Sequence, residues 1–387
     1  MILVGVATAY PPELEKLLNF SIQKNPGIKS YDSLKKSFLH RAKFLKALPN
    51  PVLSLSLNNL DTKRYIPNKD NPMSSFGIYL SQRYVLPVKR EKASHVFIQK
   101  GAEVDLMKEK FVKELLKKLK LLYWDFSYSY EMEKILFKTR EEIKSLMNIT
   151  EEKFRYGKAL LSDLLLLKVE LLKVEEMLSN AKKLRETSKE RIYALAGGRV
   201  KLKGSPMKLV PFPDSFSPER NVEVRLMDEK LKTVKKEIER AKVEHYPDIL
   251  LSAGYGIRPD IPNLITLRTG FTLPVWKSKR EDLLVLEAQE RYRSLLMKLE
   301  DTKLRVEGEF NALKESFRIT SKILSTVERE IEEKKKEIEA LMIAYRYDRT
   351  DVREILRAYR ILWSLELDRA KLIKELNQTV AKAEALQ

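Results

Sequence analysis

Residues 154–170 read FRYGKALLSDLLLLKVE, and residues 345–360 read YRYDRTDVREILRAYR. Each copy opens on an aromatic-Arg-Tyr triplet followed by a turn residue, Gly157 or Asp348. An acidic residue stands six positions further on, Asp163 or Glu354, and two aliphatics follow it. Gly and Asp both tolerate the left-handed conformation that ends a helix. The apolar run behind them restarts one. Each copy therefore reads as the tip of a helical hairpin, and two such tips in one chain read as an internal duplication.

The helices running into these tips are long. From Val88 to Lys153 the periodicity stays helical, which at 1.5 Å per residue is roughly 100 Å. Helices of that length need partners, so coiled-coil-like packing is expected. Before the first hairpin, helical segments at 13–24 and from Asn25-Pro26 to about Leu48 precede a strictly alternating run. In it Leu53, Leu55 and Leu57 oppose Ser54, Ser56 and Asn58, the period of a half-buried strand. A polar loop leads to a second alternating run, with Phe76, Ile78 and Leu80 against Gly77, Tyr79 and Ser81.

The same plan recurs later. Pro247 follows Asn221 at the spacing at which Pro51 follows Asn25. Ile249, Leu251, Ala253 and Tyr255 then alternate with Leu250, Ser252 and Gly254. After a short turn, Ile265, Leu267, Thr269 and Phe271 lie on one strand face, with Thr266, Arg268 and Gly270 on the other. Expected boundaries are a first repeat at 10–198, with hairpin 52–86 and helices 88–153 and 159–196. A proline-rich linker at 199–220 follows. The second repeat covers 221–387, with hairpin 248–275 and helices 276–346 and 350–386.

Residues 1–9, MILVGVATA, end in an A-x-A pattern but lack a basic n-region. They read either as the remnant of a signal peptide or as a frayed apolar N-terminus.

Composition narrows the function. Charged residues make up 33% of the 387 and hydrophobics 43%, a balance that suits long amphipathic helices better than a compact α/β enzyme. The net charge of +19 would attract polyanions. However, Lys and Arg interleave with Glu along helix faces, as in EREIEEKKKEIEA at 328–340, which is the pattern of a solvated, salt-bridged surface. Nucleic acid is not an expected partner. The absence of cysteine excludes disulfides and thiolate metal sites. His40, His95 and His245 are far apart in sequence and lack ligand spacing. There is no nucleophile elbow and no phosphate-binding loop. No catalytic, cofactor or metal residue is assigned, and no enzyme activity is expected.

Four alternating strands cannot close a membrane barrel, the smallest of which have about eight. Left open they would expose unpaired edges. Completion by further copies of the chain, in a cyclic homo-oligomer, is expected.

The whole arrangement resembles the TolC-type outer-membrane efflux channel family. The likeness is carried by Asn25-Pro26-Gly27-Ile28, by Ser81-Gln82 with Leu86-Pro87-Val88, and by the tip at 154–157 with Asp163-Leu164-Leu165. It continues in His245-Tyr246-Pro247-Asp248-Ile249, in Thr272-Leu273-Pro274-Val275-Trp276 and in the second tip at Tyr345. It covers about 14–387.

The resemblance implies a mainly α chain of long helical hairpins forming a helical barrel. It implies four strands per chain completing a trimeric twelve-stranded membrane β-barrel. It implies an exit duct in the outer membrane, with its helical tunnel in the periplasm. Substrates would be delivered by an inner-membrane pump and a periplasmic adaptor, and they could be drugs, metals or proteins.

Under this likeness Asp163, Tyr345, Glu354 and Arg357 are expected at the periplasmic entrance. Phe154, Arg155, Tyr156, Gly157, Arg346, Tyr347 and Asp348 would form the hairpin tips and the adaptor contact. Ile265, Leu267 and Phe271 would face lipid, with Tyr79, Tyr84, Tyr255 and Trp276 as an interfacial girdle. The blander reading of Asp163, Glu354 and Arg357, as caps or a solvated face, stands beside this one. Asp348 departs from the family's usual Gly, and Arg357 sits where some members place an acidic ring. A soluble coiled-coil scaffold and a periplasmic adaptor are the alternatives. The first leaves the strand hairpins unexplained, and the second carries only one helical hairpin.

Overall fold

The computed structural model describes residues 10–62, 65–259 and 261–387. The expected signal remnant at 1–9 lies outside them. In order come α1 (Pro12–Lys24), α2 (Pro26–Lys46), β1 (Val52–Asn58), β2 (Ser75–Tyr84), α3 (Pro87–Arg155) and α4 (Leu161–Ala196). After an extended stretch follow α5 (Val222–Val243), β3 (Ile249–Ile257), β4 (Leu264–Phe271), α6 (Glu281–Arg346) and α7 (Val352–Leu386). The long helices match in length, 69 and 66 residues for α3 and α6, and 36 and 35 for α4 and α7. No described helix is long and apolar enough to cross a membrane.

Helix ends follow local chemistry. The Asn25 side chain accepts from the Gly27 amide at 2.8 Å and Pro26 occupies the first position of α2, where its missing N–H costs nothing. In α7 the Asp351 side chain caps the helix by accepting from the Glu354 amide at 2.9 Å. The expected start of α6 at 276 is corrected to Glu281. Lys277–Lys279 form a 3₁₀ turn and Arg280 leaves helical backbone geometry. Three cations at a helix N-terminus oppose its dipole, whereas Glu281 and Asp282 suit it.

The chain divides into two compact units, with boundaries that fall inside α2, α3 and α6 and at the first residue of α5. One comprises residues 30–108 and 223–302 and contains the sheet. All four strands are antiparallel in the order β1-β2-β3-β4. Register places Leu55, Ile78, Tyr255 and Ile265 in one row, and Leu53, Leu80, Ala253 and Leu267 in the next. On the opposite face run Ser54, Tyr79, Gly254 and Thr266, then Val52, Ser81, Ser252 and Arg268. The sheet thus has an apolar face and a mostly small and polar face. Neither β1 nor β4 has a second neighbour.

Where strands meet helices in this unit, Asp248 accepts from Lys89 Nζ at 3.0 Å and from Arg83 Nε at 3.0 Å. Burial opposes its charge, but the hydrogen bonds from Arg83 and Lys89 outweigh that and hold the carboxyl below its ordinary range.

The other unit comprises residues 10–29, 109–222 and 303–387. One core within it gathers Leu14, Leu17, Leu119, Tyr123, Trp124, Phe126, Ile192 and Val380. A second joins Ile143, Leu146, Leu167, Val174, Tyr345, Val352, Ile355 and Trp363. The proline-rich segment is pinned to α7, because the buried Asn377 side chain accepts from Val210 N at 2.8 Å and donates to Lys208 O at 2.9 Å. Asn25 and Asn221 make matching bonds. Asn25 donates to Leu195 O at 2.8 Å and Asn221 to Leu386 O at 2.6 Å, each reaching the last turn of the second long helix in its own half.

Candidate functional site

Both tips close in the same way. Gly157 and Asp348 take positive φ, 70° and 60°. Gly157 N donates to Phe154 O at 2.9 Å and Lys158 N to Lys153 O at 2.8 Å. The equivalents are Asp348 N to Tyr345 O at 3.2 Å and Arg349 N to Ala344 O at 2.9 Å. This six-to-one pattern satisfies helix carbonyls that would otherwise lack donors. Phe154, Arg155, Tyr156, Arg346 and Tyr347 stand exposed at the two turns, with Tyr156 at 82% and Tyr347 at 72% of full exposure.

Asp348 does more than turn the chain. Its carboxylate accepts from Lys153 and, at 2.7 Å, from Lys158, both on the first tip. These hydrogen bonds, the Lys153 one foremost, pull its pKa to about 2. Lys153 also donates to the Tyr345 carbonyl and lies 4.3 Å from the centre of the Tyr345 ring. A left-handed Asp is costlier than Gly in backbone terms, and the ion pairs across the tips are the compensating feature.

Asp163 accepts from the Leu160 amide at 3.1 Å and lies 3.4 Å from Arg353 Nε. It therefore both caps α4 and ties it to α7. Tyr345 is buried, with its hydroxyl 3.1 Å from Thr150 Oγ1, tying α6 to α3; burial pushes its pKa upward, so it stays protonated. Further along, Arg360 pairs with the buried Glu170. Glu354 and Arg357 lie on the exposed side of α7, opposite the buried Val352, Ile355, Leu356 and Ala358. Glu354 accepts from Thr350 Oγ1 at 2.7 Å.

The structure therefore joins Asp163 and Tyr345 to a set of interhelix links and leaves Glu354 and Arg357 pointing away from them. Sequence reasoning missed Lys153, Lys158, Arg353 and Thr150. A signal existed for the first two: they flank the first tip closely while the second tip carries an acid in place of glycine.

The Asp348 pairing leads to an expected result. Its folded pKa is depressed, so its stabilisation is complete above the ordinary value of 3.8 and is lost as pH falls through about 2. The thermal stability difference between the native protein and Asp348→Asn should stay constant from neutrality to about pH 4 and vanish towards pH 2. A difference that disappears near pH 6 would contradict the pairing.

On the sheet, Ile265, Leu267 and Phe271 stand exposed on the apolar face, Leu267 at 78%. Tyr255 and Tyr84 share that parity, but Tyr79 does not. It lies over Gly254 on the opposite face, where a Cβ at Gly254 would come within 2.3 Å of its ring. Tyr79 therefore stands on the face opposite Tyr84 and Tyr255, and its ring fills the space above Gly77 and Gly254. His40 and His95 line one cavity of about 560 Å³ with Lys36, Lys43, Lys46 and Glu91. His245 lies 3.6 Å from Asp282. No described cluster of three or more His, Asp or Glu could hold a metal ion.

The sequence matches no protein-family model and no curated protein. Solved structures do match. CusC, whose structures describe transmembrane channel formation, superposes with TM-score 0.81 over 97% of this chain and 92% of its own, at 12% identity. The outer membrane protein VceC of Vibrio cholerae gives 0.77 over 96% and 95%, at 13% identity. The MtrE outer membrane channel of Neisseria gonorrhoeae gives 0.76 over 97% and 88%, also at 13% identity. The chain has the fold of the TolC-type outer-membrane channels. Within a TolC-type fold, paired long helices and a four-stranded sheet account for nearly the whole chain, and the two tips are the ends of its helical hairpins.

Proposed function

We propose that this chain is the outer-membrane channel of a tripartite efflux or type I secretion system. It acts as a passive exit duct for substrates handed on by an inner-membrane pump through a periplasmic adaptor. The single observation that carries this reading is the sheet, with four antiparallel strands, two unpaired edges and an apolar face left exposed. Such edges must be paired in lipid, and three copies would join them into twelve strands around one barrel. The apolar face would meet outer-membrane lipid, with Ile265, Leu267 and Phe271 in the band. The helices would extend into the periplasm, and the tips, with Tyr156 and Tyr347 outermost, would meet the adaptor. Matching tip geometry and the matching Asn25 and Asn221 bonds support an origin by duplication of 10–198 and 221–387 about the 199–220 linker.

In this reading Asp163 and Tyr345 help hold the entrance helices together, while Glu354 and Arg357 line its mouth. Symmetry makes each a ring, and rings of charge set ion selectivity. Reversal potentials in planar bilayers under a salt gradient test this. Glu354→Ala should shift the channel towards anions and Arg357→Ala towards cations. If neither moves the potential, the pair does not line the mouth and forms a solvated face instead.

A further inference from the structure

The four strands carry two charged residues, Arg83 and Arg268, and no acid. Both lie on the polar face. Arg83 pairs with Asp248, which it shares with Lys89, whereas no described carboxylate pairs with Arg268. Its guanidinium stands 5.5 Å from the centre of the Tyr79 ring. That ring is fixed in place. A Cβ at Gly77 would come within 2.4 Å of it and one at Gly254 within 2.3 Å, so it fills the space both glycines leave. Asn58 Nδ2 donates to its hydroxyl at 3.0 Å. The ring's negative face is thereby presented beside Arg268 and orients the cation without cancelling its charge. Its neighbours on that face, Val52, Ser81, Ser252, Leu250, Thr266 and Gly270, are all uncharged.

We infer that Arg268, positioned by Tyr79, is the charge-selecting residue of the strand wall and favours passage of anionic over cationic solutes. This rests on the channel reading above, in which the polar face lines the lumen. Each copy would then place one unpaired guanidinium at the same height. A ring of like charge with no acidic counterpart enriches counter-ions locally. The field of each exposed guanidinium reaches about 8 Å into the lumen at physiological salt.

The test uses the assembled protein in planar bilayers under a potassium chloride gradient, where an unselective pore reverses near zero. Native protein should reverse on the anion side. Arg268→Gln should move the potential towards zero, Arg268→Glu should carry it to the cation side, and Arg268→Lys should leave it as in the native protein. Thr266→Glu, one row away with Arg268 retained, should shift it in the same direction as Arg268→Gln and covers the case in which Arg268→Gln does not assemble. All variants are also prepared with Asp163→Asn, which loosens α4 from α7 at the tip, so that a shut entrance does not mask the wall. A conducting Arg268→Gln or Thr266→Glu with an unmoved potential overturns the inference and leaves the channel reading intact. No conductance from any assembled variant overturns both.

Discussion

Asp248→Asn is expected to destabilise the protein by about 3 kcal/mol, because it strands the buried Lys89 ammonium without its main counter-charge. Asp248 and Lys89 side chains are 6% and 8% exposed, so water cannot replace what is lost. The figure sits at the low end for a broken buried pair because Glu244 lies 3.7 Å from Lys89 Nζ and retains part of the compensation. Arg83 is 61% exposed and can be resolvated, so Arg83→Gln should cost less than about 1 kcal/mol. The double change Lys89→Met with Asp248→Leu should recover most of the loss. Denaturant unfolding of the solubilised protein reads all three. Equal effects from Asp248→Asn and Arg83→Gln would mean that the cluster is open to solvent. The cluster joins β2, the first turn of α3 and the start of β3, so the expected damage falls where strands hand over to helices.

The second large effect concerns the proposed lipid face. Leu267→Arg should lower the yield of assembled protein in the outer membrane sharply. A cation at mid-bilayer on a barrel surface costs about 2–4 kcal/mol, and symmetry repeats that cost in every copy. Arg268→Leu, one residue along and on the polar face, should assemble normally although its ion selectivity changes. Heat-resistant oligomer in membrane fractions reports both. If Arg268→Leu blocks assembly and Leu267→Arg does not, the two faces of the sheet are assigned the wrong way round.

Much of this fold was legible in the sequence because its signals are periodic and repeated. Alternation of Leu53, Leu55 and Leu57 with serines fixes a strand and its faces, since a one-residue slip would invert every side chain. Helices as long as α3 and α6 leave an unmistakable pattern, and Gly157 and Asp348 mark their turns. The tip links were not legible. Lys153 and Arg353 sit in stretches dense with charge, and which acid each one meets depends on interhelix packing that spacing does not encode. Tyr79 shows another limit. Its parity places it on the polar face, but composition alone groups it with the other strand aromatics; only the register that sets it against Gly254 shows where the ring goes. The late start of α6 is a third case, in which the helical period continues upstream but three cations oppose the helix dipole.

The mass of the detergent-solubilised protein tests the central claim most directly. Strands that complete one another across copies should give a particle of three chains, each of 45.2 kDa, with no stable folded monomer on dilution. A monodisperse monomer that retains its full strand content by circular dichroism would contradict the account.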